Sequence, residues 1–153
     1  MKTKSMVAVL LLCFAGAVMC IAQDAQLGSW KLNEAQSKFS PGSPKTTSSK
    51  YEAAGDMIKV TLDGVGFDGK PSHTEWTGKY DGKDYPTTGD PNQTSRSYTK
   101  IDAHRMKIAV KHGDAVILSG TITVAANGKS RTVEATGGMA DKKFSYTAVY
   151  DKQ

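Results

Sequence analysis

Apolar and polar residues alternate along most of the chain. Ile58, Val60 and Leu62 fall on one face, and Lys59, Thr61 and Asp63 on the other. Met106, Ile108 and Val110 alternate with Arg105, Lys107 and Lys111. Val116, Leu118, Ile122 and Val124 stand opposite Ser119, Thr121 and Thr123, and Phe144, Tyr146 and Tyr150 opposite Ser145, Thr147 and Asp151. A period of two sustained over five or more residues marks half-buried antiparallel strands. The pattern predicts nine or ten of them, near 27–33, 46–54, 57–64, 71–80, 83–86, 94–102, 105–112, 115–125, 130–137 and 143–151. Asp68-Gly69-Lys70, Asp81-Gly82-Lys83 and Asn127-Gly128-Lys129 fall between strands and predict type I′ hairpin turns. No long helix is expected; Glu34 to Phe39 has room for one helical turn before Pro41-Gly42 ends it.

Successive short hairpins favour a meander over a sandwich, and a meander of this size removes its exposed edges by closing on itself. The predicted fold is all-β: an antiparallel up-and-down β-barrel of about 8–10 strands. A closed barrel of that size has room for one small ligand.

Residues 1–22 break the alternation. Lys2 and Lys4 precede a continuous apolar run from Met6 to Ala17, and Cys20 and Ala22 stand at the −3 and −1 positions of a cut before Gln23. This three-part layout is that of a cleaved export signal, which leaves a single barrel domain over 23–153 and places it in a secreted or periplasmic compartment. The apolar run is too short to span a bilayer, so no stable membrane insertion is expected after cleavage. Both cysteines, Cys13 and Cys20, lie within the signal, which leaves no disulfide, thiol nucleophile or thiolate metal site in 23–153. Beyond residue 22, Ile, Leu, Val and Phe make up only 19 of 131 residues. That share is too small for a large helical core or a buried parallel sheet. The 18 basic and 15 acidic residues there are interspersed, which describes a solvated surface and not a nucleic-acid stripe.

Two segments resemble known barrels. Leu27-Gly28-Ser29-Trp30 is similar to the Gly-x-Trp opening of lipocalins and intracellular fatty-acid-binding proteins, and Tyr146 to Gln153 looks like the last strand of the latter. Together with the strand count they resemble lipocalin-like (calycin) exported barrels of a bacterial type. The resemblance implies that Trp30, after Gly28, plugs one barrel end and that a basic residue, Lys152 or Arg131, packs over it. It also implies a ligand site inside the barrel. Two departures stand out. Only Asn33 to Lys45 links the first two strands, too little for a helical lid, and Ala148 stands where the fatty-acid-binding group has an arginine, beside Tyr150.

A planar guanidinium inside a barrel is a natural anchor for an acidic ligand. Of the three arginines beyond residue 22, Arg105 shares a face with Lys107 and Lys111, and Arg96 with Tyr98 and Lys100. Arg131 alternates in step with Val133 and Ala135 and is the one expected inside. Trp76, Gly78 and Tyr80 share a face, and an aromatic beside a small residue suits a cavity wall. The candidate ligand-binding residues are thus Trp76, Tyr80, Tyr98, Arg131 and Tyr150, with Gly28, Trp30 and Lys152 structural. His73 and Glu75 share a face at a spacing open to a metal, but no third ligand follows from spacing, and neither a metal nor a cofactor is assigned. No nucleophile motif stands out; Asp63, Glu75 and Glu134 would form an acid–base set only if they met in space. Asn92-Gln93-Thr94 matches the glycosylation pattern. Three readings remain open: a barrel binding a small apolar or amphipathic molecule, a filled barrel acting through its surface in the cell envelope, and a small hydrolase or isomerase with inward acids.

Overall fold

The computed structural model describes residues 24–153; the export signal read over 1–22 lies outside the described residues. Ten strands follow one another: β1 Gly28–Phe39, β2 Lys45–Ala54, β3 Met57–Val65, β4 Pro71–Gly78, β5 Tyr85–Thr88, β6 Ser95–Lys100, β7 Arg105–His112, β8 Ala115–Val124, β9 Ser130–Met139 and β10 Lys142–Lys152. Each pairs antiparallel with the next, and β10 returns to β1, so the sheet closes. The fold is a closed ten-stranded up-and-down barrel. Closure leaves no unpaired edge to template aggregation.

The alternation read from the sequence is what fills the barrel. Tyr51 faces Val60 and Val60 faces Trp76 across β2, β3 and β4, and Ile122, Val133 and Ala148 line up across β8, β9 and β10. All of these side chains are buried. The opposite faces carry Lys59, Glu75, Lys107 and Glu134, at the surface.

One barrel end is plugged. The turn before β1, closed by Leu27 N–H on the Asp24 carbonyl, lays Gln26 across the opening. The Gln26 carbonyl accepts a 3.0 Å hydrogen bond from Trp30 Nε1, which satisfies the indole of a fully buried ring. Lys152 crosses the same end with Nζ 5.1 Å from the Trp30 ring centre. Gly28 makes room for it: a Cβ there would stand 2.8 Å from Lys152 Cε, at a φ of +118°.

Three local expectations are corrected. Glu34 to Phe39 is not helical; β1 runs through it as a wide bulge against β10 between Asn33 and Lys38. The Ser37 hydroxyl replaces the lost ladder contact by accepting from Val149 N–H at 2.9 Å and donating to the Asn33 carbonyl at 2.7 Å. Val116 points outward, because a bulge opposite Val110/Lys111 inserts one residue and Ile117 takes the inward place. The glycine turns are not type I′, which needs positive φ at both central residues. Only Gly69, Gly82 and Gly128 have it, while Asp68, Asp81 and Asn127 accept from the following lysine N–H through their side chains.

Candidate functional site

The aromatic layer next to the plug is solid. Trp76 meets Tyr98 edge-on at 4.8 Å between ring centres and Tyr85 at 5.7 Å, and Tyr80 meets Tyr98 at 5.9 Å. Trp76 Nε1 donates to the Arg96 carbonyl at 2.8 Å. The space beside Gly78, which the sequence offers as a cavity wall, is filled by Tyr85 from β5: a Cβ on Gly78 would come within 2.6 Å of both the Tyr85 and Trp76 rings. Trp76, Tyr80 and Tyr98 therefore pack against one another, and none of the three lines the internal cavity.

That cavity lies further along the axis and measures about 60 Å³. Its walls include Tyr51, Thr74, Arg96, Arg131, Tyr146 and Tyr150, and Pro44, Val65 and Phe67 stand at its outer rim. Phe67, from the β3–β4 turn, packs on Phe144 at 5.8 Å and covers the mouth. Of the residues expected to bind a ligand, Arg131 and Tyr150 reach this space. Arg131 is indeed buried, but it is not alone: Arg96 is buried as well, 7% exposed against 3% for Arg131.

The two guanidiniums are held differently. Arg131 sits among three rings, its Cζ 4.7 Å from the centre of Trp30, 4.5 Å from Tyr51 and 5.2 Å from Tyr150. Such stacking stabilises a desolvated cation by about 2 kcal/mol or more. Its one hydrogen bond runs from Nη2 to Ser49 Oγ at 2.6 Å, and Nε and Nη1 have no partner. Both Arg131 and Lys152 thus pack on Trp30, one from inside and one over the end. Arg96 donates from Nη1 to the Tyr98 hydroxyl at 3.1 Å and from Nη2 to Gln93 Oε1 at 2.7 Å, while its Nε is unpartnered. Neither arginine makes an ion pair with a carboxylate of the described residues.

The surrounding hydroxyls stay neutral. Burial pushes the Tyr146 phenol up to about 12. Burial raises Tyr98, Tyr150 and Tyr80 further still, so these groups offer hydrogen bonds and not charge. The chain of contacts from Arg96 through Tyr98 continues to the Tyr51 hydroxyl at 3.4 Å, whose ring carries Arg131. Two guanidiniums, three unsatisfied N–H donors and neutral phenols around a closed pocket are a setting in which an anion gains and a cation loses.

The remaining candidates lie outside the barrel. His73 Nδ1 meets Asp63 Oδ1 at 2.6 Å, with Glu75 4.0 Å from Nε2 and paired to Lys59 at 2.9 Å, all on the outer face of β3 and β4. Glu134 is exposed on the outer face of β9. The three acids do not meet inside, because each stands one residue out of step with the inward series. Asn92 is half-buried in the β5–β6 loop, its amide donating to Asp90 Oδ1 at 3.2 Å. A shallow outer groove of about 860 Å³ runs across β6 to β10, lined largely by Ser, Thr and Lys side chains.

No family model matches the chain, and no curated protein matches it. Among solved structures it is similar to a redesigned β-barrel at 14% identity and TM-score 0.49, over 88% of this chain and 97% of that one. It is also similar to the redesigned β-barrel mFAP1 bound to DFHBI, at 12% identity and TM-score 0.47, over 86% and 97% of the two chains. A third, EF1p2_mFAP2b bound to DFHBI, shows 12% identity and TM-score 0.49 over 86% and 98%. The class defined by the fold and its interior is an antiparallel ten-stranded barrel with a small, cationic internal pocket.

Proposed function

We propose that this barrel binds a small amphipathic molecule through an anionic head group. The observation that carries the reading is the set of unpartnered donors on two buried arginines, Nε of Arg96 and Nε and Nη1 of Arg131, in residues lining one cavity. A buried donor without a partner costs about 1–3 kcal/mol, and a buried charge costs several more. A carboxylate placed there accepts those hydrogen bonds and neutralises charge in one step. The cavity, at about 60 Å³, holds a head group and little else. An apolar tail would lie across the mouth against Val65, Pro44 and Phe67, with the Phe67 ring displaced. Export through a cleaved signal at 1–22 belongs to the same proposal, supported by the apolar run and by a remainder free of cysteine. The charged outer face supports a barrel bathed in water after export.

The test is calorimetric titration with octanoate and octanol, which share a tail and differ in head charge. Octanoate binds and octanol does not, and Arg131→Met abolishes the octanoate signal. Equal binding of both molecules, or of neither, would contradict the reading.

A further inference from the structure

We infer that Asp90, acting through Gln93, sets the charge of the head group that this pocket accepts: one negative charge and not two. The inference rests on the anion-binding reading above. Among the described residues the buried charged side chains are Asp90, Arg96 and Arg131. Asp90 is 4% exposed in the β5–β6 loop, one side chain back from the cavity behind Gln93, which lines it. Its Oδ1 accepts from the backbone N–H of Asn92 at 2.9 Å and its Oδ2 from Gln93 Nε2 at 2.9 Å. The other end of that amide, Oε1, accepts from Arg96 Nη2 at 2.7 Å. Gln93, itself buried, is thus a neutral spacer between a carboxylate and a guanidinium, with its donor end facing the anion and its acceptor end the cation.

The spacing has a consequence. A carboxylate in direct contact with Arg96 would occupy its fork and weaken the site for an incoming anion. Held one amide away, Asp90 offsets one of the two buried positive charges and leaves the Arg96 Nε and the Arg131 edge free. The interior then carries a net charge of one, by the residues named. A monoanionic head brings it to neutrality. A dianion overshoots, leaving one uncompensated negative charge in a low-dielectric interior, where charge is most costly. Asp90 and Gln93 are positioning residues in this scheme, since neither needs to touch the ligand.

Methanesulfonate and sulfate test this cleanly, being similar tetrahedral oxyanions of one and two charges. The full-length domain is titrated with each in a buffer without other small oxyanions. Wild type is expected to favour methanesulfonate. In Asp90→Asn the preference shifts toward sulfate by about tenfold or more, because the interior then carries two positive charges. Gln93→Glu places a carboxylate directly on Arg96 and is expected to weaken methanesulfonate about tenfold; it keeps the test open if Asp90→Asn does not fold. Methanesulfonate binding with an unchanged preference in Asp90→Asn, or undiminished in Gln93→Glu, overturns the inference and leaves the anion-binding reading standing. Wild type binding neither anion overturns both.

Discussion

Arg131→Met separates an arginine kept for binding from one kept for stability. The substitution removes the cation from the cage of Trp30, Tyr51 and Tyr150 and deletes the bond to Ser49. The lost ring contacts are worth about 2 kcal/mol in a desolvated site, and the charge-assisted hydrogen bond about 1.5–3. Against this, the variant removes two unpartnered donors, Nε and Nη1, at about 1–3 kcal/mol each. Those two donors are part of the burial cost of the charge, which is several kcal/mol in all and is removed with it. Methionine is of similar length and keeps favourable sulfur contact with the rings, about 0.3–1.5 kcal/mol. The gains match or exceed the losses, so the variant is expected to be as stable as wild type or more stable by up to about 2 kcal/mol. Urea denaturation followed by tryptophan fluorescence measures it, with Trp30 beside the changed residue. A loss above about 2 kcal/mol would refute the reasoning. It would mean that the ring cage outweighs desolvation and that Arg131 is a structural keystone, with no stability sacrificed for a ligand.

Four further outcomes follow from the same structure. Trp30→Ala is expected to lose about 3–5 kcal/mol in a denaturant melt, as for any fully buried large aromatic. Gly78→Ala is expected to lose about 1–3 kcal/mol, because its methyl meets the Tyr85 and Trp76 rings; a neutral result would mean that the notch is empty. Ile117→Ala should cost about 2–5 kcal/mol while Val116→Thr stays within about 0.5, and the reverse ranking would remove the β8 bulge. Burial raises the folded pKa of Tyr146 to about 12 above an ordinary value of 10, so the folded state holds its proton longer. Its stabilising effect is intact below about pH 10 and is lost as pH rises toward about 12, with ∂ΔG/∂pH negative in that window. Ultraviolet titration of tyrosinate against a parallel stability profile checks the sign.

The barrel was legible because its signal is local. Apart from β1, which runs six residues past its expected end, the strands and their glycine turns lie within about two residues of their predicted places, and hairpin order alone gives the meander. What escaped was set by single insertions and by partners distant in sequence. The bulge at Ile117 cannot be seen in β8 alone, since both Val116 and Ile117 are apolar and only pairing with β7 decides between them. Gly78 reads in the sequence as a cavity wall, but the space beside it is filled by Tyr85 from the next strand. Arg131 was readable from its step with Val133 and Ala135. The same reasoning applied to Arg96, two residues before the buried Tyr98, would have placed it inside as well; the neighbouring Lys100 masked the signal by continuing the same face out to the rim. Asp90 and Gln93 carried no signal beyond a loop and a glycosylation pattern, because their importance lies in a chain of contacts that forms only when β5 and β6 pair.

The most direct measurement of the central claim is anomalous diffraction from crystals soaked in bromide. A halide is small enough for a cavity of about 60 Å³ and has no chemistry but its charge. The account predicts an anomalous peak inside the barrel, within hydrogen-bond reach of Arg131 Nη1 or Nε or of Arg96 Nε, that vanishes in Arg131→Met. Bromide found only at surface lysines, with the interior empty, would contradict it.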